Sequence, residues 1–306
     1  MRITDLFSSG HPFPSLEIVP PLSGITQREL LDSIRPLMDF QPRYINVTTH
    51  RDELQYTPLP DGSYKREVVR NRVSPVAVCA CIQAHFPVEV VPHIICSGHT
   101  AREIEWQLQD FHFMGIDNVM ALRGDSLAGE KRFTPEPDGY AHASELVRAI
   151  REQAGFCVGV GAYPEKHFEA ANLETDIEYL KAKVDAGADY VITQMFFDNA
   201  VFFRFVEKCR AAGITVPIIP GLKPLTTRKQ VDVLPETFSI DIPRELTQAI
   251  RQAGDKAEDK AEAVRRVGIE WCITQCRDLL AHQVPAIHFY TMGKSQNITD
   301  VLRAAF

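Results

Sequence analysis

The sequence of 306 residues lacks the short motifs that most directly indicate a chemistry. Its seven cysteines form no Cys-x-x-Cys pair and show no spacing typical of a zinc site, so we predict buried thiols and no bound metal. A Walker loop and a Gly-x-Ser-x-Gly elbow are both absent, which argues against P-loop and α/β-hydrolase chemistry. The segment Gly159-Val160-Gly161 lacks the third glycine of a dinucleotide-binding fingerprint, so we reject a Rossmann domain.

Long apolar runs and an excess of positive charge are missing as well. No segment reaches the roughly 18 apolar residues that a membrane span needs, and Met1–Ser15 lacks the continuous apolar stretch of a signal peptide. We therefore expect a cytoplasmic protein without a membrane partner. The net charge of −7 argues against a nucleic-acid-binding face and favours small-molecule substrates.

The sequence does contain a repeated pattern of strands and helices. Eight short apolar runs each end in a polar or charged cluster, and helical patterns separate most of them. The runs are Leu16–Pro20, Tyr44–Thr48, Val90–Cys96, Asn118–Leu122, Val158–Ala162, Tyr190–Thr193, Ile218–Pro220 and Ile287–Tyr290. Eight βαβ units close into a barrel whose active site lies at the carboxyl ends of the strands. We predict an α/β protein with one domain over residues 1–306, a (β/α)8 TIM barrel.

Local signals place several helices and one insertion. Thr100 and Glu103 form a capping box at the start of an amphipathic helix, and Asp255–Gln283 has the pattern of one long helix. The polar stretch Thr49–Ser74, which follows the second strand, is long for a barrel loop. We predict that it forms an inserted loop or hairpin, with a strand within Ser63–Val73, and that it covers the barrel opening.

Glu17 is the first candidate for catalysis because it lies within the apolar first strand. Barrel strands are covered by helices on the outside, so a carboxylate that points inward is costly unless it has a partner or a task. Burial would raise its pKa and make it a usable general acid near neutral pH. An exposed strand glutamate is the alternative reading.

Polar clusters after the middle strands are further candidates. Arg123-Gly124-Asp125 combines a cation, a carboxylate and a glycine that allows close approach of a ligand, although a local salt bridge would explain it equally well. Gln194 can both donate and accept, which suits the amide-like edge of a pterin, flavin or nicotinamide. His93 lies inside an apolar run and would by default be a buried histidine with satisfied hydrogen bonds.

Taken in order, these strand-end segments resemble the methylenetetrahydrofolate reductase family, flavin enzymes built on an eight-fold barrel. The resemblance spans nearly the whole chain and rests on the ordered set rather than on one motif. The matching segments are Glu17 with Pro20-Pro21, Val47-Thr48, Pro92-His93, Ala121–Asp125, Ala162–Glu165 with His167, Ile192–Asp198, Ile219–Gly221 and His288–Thr291. Because the sequence ends with the barrel at Phe306, we expect the bacterial form of the family, without the regulatory C-terminal domain of eukaryotic relatives.

The resemblance implies a two-step reaction. A reduced nicotinamide, NADH or NADPH, passes hydride to FAD, and 5,10-methylenetetrahydrofolate then takes the hydride to become 5-methyltetrahydrofolate. It implies that Glu17 is the general acid that opens the five-membered ring of the folate. It also implies that Asp125 lies between flavin and pterin, that Gln194 contacts the bound substrate, and that the protein is a homo-oligomer.

The family motifs also imply binding positions. Those for FAD are Thr49, His93, Arg123, Gly124, Asp125, Ala143, Tyr163, His167, Ala170, Asp176 and Lys183. Those for the substrates are Thr48, Asp125, Gln194, Gln230 and Lys294. At residue 294 the lysine replaces a common arginine, which keeps the charge and loses the bidentate fork.

Two other readings remain open at this point. One is a different FAD barrel, such as a proline-dehydrogenase-like oxidase, which would use a different acid. The other is an accessory barrel that has lost catalysis, which predicts substitutions at Glu17 and Gln194; the sequence shows none there.

Overall fold

A computed structural model describes residues 1–8, 10–126, 132–153, 155–256, 258–293 and 295–306. Its strands are β1 (Phe13–Ile18), β2 (Tyr44–Val47), β3 (Glu53–Pro58), β4 (Tyr64–Val69), β5 (Glu89–Ile95), β6 (Asn118–Leu122), β7 (Cys157–Ala162), β8 (Tyr190–Met195), β9 (Ile218–Leu222) and β10 (Ala286–Tyr290). Its helices are α1 (Ile3–Leu6), α2 (Gln27–Met38), α3 (Pro75–His85), α4 (Ala101–Phe113), α5 (Ala143–Gln153), α6 (Leu173–Asp185), α7 (Asn199–Ala211), α8 (Gln230–Phe238), α9 (Arg244–Lys256), α10 (Lys260–Ala281) and α11 (Ser295–Ala305).

Eight of the strands form a closed parallel barrel in the order β1-β2-β5-β6-β7-β8-β9-β10. The predicted TIM barrel is confirmed, and each of the eight predicted apolar runs contributes one of its strands. Because every strand is covered by helices outside and by side chains inside, its sequence is an almost continuous apolar run. The carboxyl ends of all eight strands therefore meet at one opening.

The opposite end of the barrel is closed by aromatic side chains and by α1. Tyr44 and Tyr190 are fully buried there, with ring centroids 6.4 Å apart. A Cβ at position 159 would lie 2.5 Å from the ring of Tyr190, so only glycine fits beside it. The backbone N–H of Ile3 donates to Asn118 Oδ1 at 2.8 Å, which fastens α1 across this end. With this end closed by described residues, the carboxyl ends of the strands form the entrance for ligands.

Side-chain caps decide where the helices begin. The predicted capping box of Thr100 and Glu103 is present, with both reciprocal hydrogen bonds. The single long helix predicted over Asp255–Gln283 is wrong, because α9 ends at Lys256 and α10 begins at Lys260. Asp259 accepts a hydrogen bond from the Glu262 N–H and so caps a new helix.

The insertion after β2 is the predicted hairpin, formed by the antiparallel strands β3 and β4. The expectation that it covers the barrel opening is wrong in this structure. A lid packed on the barrel would bury one of its faces, yet residues 64–68 are all exposed. Among the described residues, no helix is both long and apolar enough to cross a membrane.

Candidate active site

The barrel brings Glu17 together with two histidines from distant parts of the chain. Glu17 Oε2 lies 3.7 Å from His93 Nε2 on β5 and 3.9 Å from His288 Nε2 on β10. The Glu17 side chain is 15% exposed, and both imidazoles are buried. The first strand therefore carries a carboxylate on the inner side of the barrel, as the sequence predicted, and not an exposed glutamate.

The prediction that burial leaves Glu17 with a raised pKa is wrong. Burial alone raises the pKa, but the neighbouring rings of His288, His93 and His50 outweigh it, and the net effect lowers the pKa below its ordinary value. Burial lowers the pKa of His93 to about 4, against the opposing charge of Glu17, so this imidazole is neutral at pH 7. In the protein alone, the carboxyl of Glu17 is ionised.

A polar network inside the barrel orients the two histidine rings. The Asn46 amide nitrogen lies 3.2 Å from His93 Nε2, and the hydroxyl of Ser15 lies 3.0 Å from His288 Nδ1. Asn46 Oδ1 and His288 Nε2 are buried without a hydrogen-bond partner among the described residues. Since buried polar atoms are nearly always satisfied, these two atoms indicate that the site is built to bond a polar ligand.

The loop after β6 presents a cation and a carboxylate, as predicted. The guanidinium of Arg123 forms an ion pair with Glu169 from the loop after β7, which is not the local salt bridge considered from the sequence. Gly124 has a φ of +82°, and a Cβ there would lie 2.7 Å from the Cβ of Ser97. The hydroxyl of Ser97 donates to the backbone oxygen of Asp125 at 2.7 Å. This bond does not involve the side-chain carboxylate of Asp125, which is exposed.

The loop after β7 and helix α6 supply aromatic and basic groups. The rings of Tyr163 and His167 meet edge to face, with centroids 4.7 Å apart. The N–H of His167 donates to Asp176 Oδ2 at 2.9 Å, which ties the loop to α6. Lys183 Nζ donates to the backbone oxygen of Gly161 at 2.6 Å, and burial lowers the pKa of this amine to about 8. At pH 7 it is mainly protonated.

Arg123, His167 and Lys183 act as one electrostatic cluster. Burial is the largest cause that lowers the pKa of His167 and of Lys183, and the charge of Arg123 lowers both further. The carboxylate of Asp176 acts in the opposite direction on each of them. Glu169 also does so at His167. Basic donors gathered in this way match the charge and the acceptor oxygens of a pyrophosphate.

The other predicted flavin and folate positions are distributed around the same opening. Thr49 donates its hydroxyl to the backbone oxygen of His93, Thr48 lies directly after β2, Ala143 opens α5, and the Ala170 N–H donates to the His167 oxygen at 3.0 Å. The predicted flavin positions thus lie within or after β2, β5, β6 and β7, which are consecutive in the barrel. They occupy one continuous half of its rim.

Two glutamines predicted to bind substrate use their amide oxygens within the protein. Gln194 Oε1 accepts from the Met195 N–H at 2.9 Å. Gln230 Oε1 accepts from the N–H groups of Thr226 and Thr227 at 2.7 and 3.0 Å, so it caps the turn before α8. Their NH2 groups are the parts that can reach a ligand. Lys294 lies outside the described residues.

Three contributors to this site were not selected from the sequence. His288 has a sequence signal, because it lies in the segment His288–Thr291 that resembles the family; the pairing of β10 with β1 then places it beside Ser15, on the strand that carries Glu17. Asn46 and Glu169 have none, since an asparagine inside a short strand and a glutamate in a loop are ordinary in sequence. Their roles depend on strands and loops that meet only in the folded barrel.

Glu165 is a half-buried acid that bridges two loops at this opening. Its Oε1 accepts from the Asp241 N–H at 3.1 Å, which joins the loop after β7 to the segment between α8 and α9. Its Oε2 is buried without a partner among the described residues. Burial raises its pKa to about 7; the charges of Asp241 and Asp198 add to this, and the Asp241 N–H opposes it.

We expect Glu165→Gln to make the protein more stable at pH 8 and to change little at pH 5. The pKa of Glu165 in the folded protein, about 7, is higher than its ordinary value of 4.5. The stability that the protonated carboxyl contributes is therefore fully present below pH 4.5 and is lost as the pH rises through about 7. An amide cannot ionise and avoids this loss. Thermal unfolding at both pH values measures it, with the exposed Glu178→Gln as control. An unchanged pH dependence in Glu165→Gln would contradict the assignment.

Comparison with known proteins identifies the family. The family model described as methylenetetrahydrofolate reductase matches residues 2–305. The chain is 33% identical to the 5,10-methylenetetrahydrofolate reductase of Escherichia coli K12, over 92% of this chain and 86% of that protein. It is 31% identical to methylenetetrahydrofolate reductase (NADH) 1 of Arabidopsis thaliana, over 98% of this chain and 49% of that protein.

The length of the match differs among relatives. The chain spans about half the length of the Arabidopsis relative and 43% of a probable methylenetetrahydrofolate reductase (NADPH) of Caenorhabditis elegans. Among solved structures, an uncharacterised protein from Clostridium thermocellum has the same fold, with a TM-score of 0.61, 13% identity, and coverage of 100% of this chain and 98% of that one. Since the family model covers nearly every residue, the chain belongs to the methylenetetrahydrofolate reductase family.

Proposed function

We propose that this protein reduces 5,10-methylenetetrahydrofolate to 5-methyltetrahydrofolate, with FAD as cofactor and NADH or NADPH as electron donor in a ping-pong reaction. The observation that carries the proposal is the Glu17 carboxylate, held inside the barrel between His93 and His288. Membership of the family supports it. The Clostridium thermocellum protein with the same fold is described as binding two copies of 5-methyl-5,6,7,8-tetrahydrofolic acid, which agrees with a folate site on this barrel.

The residues present fit an FAD molecule. Arg123, His167 and Lys183 would hold its pyrophosphate, since they are basic donors in one cluster. Gly124 lets the backbone after β6 turn with a φ of +82°, where a Cβ would be strained and would collide with Ser97. Bound FAD supplies the hydride transfer between nicotinamide and folate, and the protein supplies position and electrostatics.

Glu17 has the task of moving a proton from its Oε2 to the folate. Its pKa is low in the protein alone because histidines surround it, but burial is the largest single influence on that pKa and acts upward. A substrate that enters the opening displaces water and increases this influence, which favours uptake of a proton from solvent by the carboxyl as the folate binds. The proton then opens the five-membered ring at the moment when hydride is to be accepted.

The other groups around the opening bind and orient. The exposed carboxylate of Asp125 can accept hydrogen bonds from the pterin ring. The NH2 groups of Gln194 and Gln230 remain available as donors, because their oxygens are used within the protein. Thr48 would contact the substrate from the end of β2. Family relatives carry both NADH and NADPH in their names, so we propose either as donor and, by the family resemblance, a homo-oligomer.

The test is a pair of half-reactions with the purified protein. We expect a yellow protein that releases FAD on denaturation, bleaches anaerobically with NADH or NADPH, and regains colour when 5,10-methylenetetrahydrofolate is added. Stopped-flow absorbance measures both steps, with tetrahydrofolate as the control that should not restore colour. A colourless protein that binds no flavin, or a flavin bleached by proline and not by a nicotinamide, would refute the proposal.

A further inference from the structure

The β3–β4 hairpin has one apolar face that the described part of the chain leaves uncovered. The cross-strand pairs Tyr56 with Arg66 and Pro58 with Tyr64 put these four side chains on one face, together with Val68. Tyr56, Tyr64 and Val68 are 58%, 66% and 67% exposed. A two-stranded hairpin on its own is marginal in water, and an exposed apolar face indicates a binding surface.

The charges on the two faces differ. On the polar face, Lys65 and Glu67 neutralise each other in an ion pair of 2.7 Å. On the apolar face, Arg66 is exposed and has no ion pair among the described residues. Arg66 lies across from Tyr56 and two residues from Tyr64 on this face, and a cation beside two phenol side chains suits a ligand that has both a flat aromatic ring and a carboxylate.

The base of the hairpin is fixed at the opening of the barrel. On one side, Asn71 accepts from the Ser23 N–H at 2.8 Å, which joins it to the loop after β1. On the other side, Arg51 forms a 2.6 Å ion pair with Glu136 in the loop after β6, and its side chain crosses Gly98 so closely that a Cβ there would clash. The hairpin therefore rises from between the strand of Glu17 and the Arg123–Asp125 loop.

We propose that the apolar face of this hairpin binds the aromatic, carboxylate-bearing tail of the folate substrate, with Tyr56 and Tyr64 against the benzoyl ring and Arg66 on a glutamate carboxylate. This rests on the proposed function. Six-residue strands extend about 20 Å, which matches a tail that leaves the barrel opening. A second copy of the chain fits this face less well, because its five side chains are far fewer than the roughly 20 to 30 residues that each partner contributes to a stable interface.

The experiment compares Arg66→Ala with Lys65→Ala, its neighbour on the opposite face. With 5,10-methylenetetrahydrofolate bearing three glutamates, we expect Arg66→Ala to raise KM about tenfold, since one charge-assisted hydrogen bond is lost, at unchanged kcat. The increase should be smaller with one glutamate. Tyr56→Ala should raise KM for both forms. Flavin reduction by the nicotinamide should stay at the wild-type rate in all variants, and Lys65→Ala should behave as wild type.

Equal KM values for wild type, Arg66→Ala and Tyr56→Ala would overturn the proposal. So would a change of oligomeric mass in these variants at an unchanged KM, measured by light scattering, because the face would then bind a second copy. If wild-type protein reduces its flavin but no form of the folate, the proposed function fails and this inference fails with it. If the wild-type protein does reduce the folate and the variants show no increase in KM, the inference about the hairpin fails while the proposed function stands.

Discussion

Replacement of Glu17 by glutamine is expected to slow folate reduction by orders of magnitude while flavin reduction by NADH or NADPH continues. Glutamine keeps the size and the hydrogen-bonding oxygen but cannot give up an acidic proton. General acid catalysis contributes roughly 10² to 10⁴ in rate, so reduction of 5,10-methylenetetrahydrofolate should slow by about that factor. Stopped-flow measurement of the two half-reactions separates them, because only the second one needs the acid.

Two controls make this result specific. Glu17→Asp keeps a carboxyl and should retain part of the folate activity, since the acid remains but is displaced by one methylene. The affinity for FAD, measured by flavin fluorescence, should be the same in both variants and the wild type. Equal loss of both half-reactions in Glu17→Gln, or full folate activity, would rule out the assigned proton transfer.

Replacement of Gly268 by alanine should unfold the protein at a clearly lower temperature. Gly268 lies within α10, where alanine would ordinarily favour the helix by about 1 kcal/mol. Here, a Cβ would lie 1.6 Å from the backbone oxygen of the buried Leu225, in the segment between β9 and α8. Overpacking costs roughly 1 to 3 kcal/mol, and contact with backbone at this distance puts Gly268→Ala at the upper end, which corresponds to a fall in Tm of about 5 °C or more.

The matched control is Gly254→Ala in the neighbouring α9. A Cβ at Gly254 would meet Arg228 and Val264 at 3.5 Å, an ordinary contact, so this variant should keep or raise Tm through helix propensity alone. Calorimetry of the two variants measures the difference. A Gly268→Ala protein as stable as Gly254→Ala would show that α10 does not approach Leu225 this closely.

The barrel was predictable because its signals are local and repeated. Each strand is buried on both sides and appears as an apolar run, and side-chain caps such as Thr100 with Glu103 mark helix starts within four residues. The boundary between α9 and α10 was not predictable in this way. It lies in a charged stretch around Asp259, where hydrophobic periodicity is weak and one capping hydrogen bond decides the start of α10.

The hairpin illustrates a second limit of the sequence. Its existence follows from turn residues and β-forming side chains after β2. Whether it covers the opening depends on contacts with the barrel, and Tyr64 and Val68 stay exposed instead. The alternation that identifies a strand says which side chains share a face and does not say what that face contacts.

The residue types of the site were set by the sequence, and their chemistry was set by the fold. An acid in the first strand and a cation with a carboxylate after the fourth barrel strand follow from position in a βα repeat, since parallel strands end at one opening. The direction of the pKa shift of Glu17 was decided by His288 together with His93 and His50, and His288 reaches it because β10 pairs with β1 and closes the barrel. Electrostatic interaction depends on distance in space, and a linear sequence does not contain those distances.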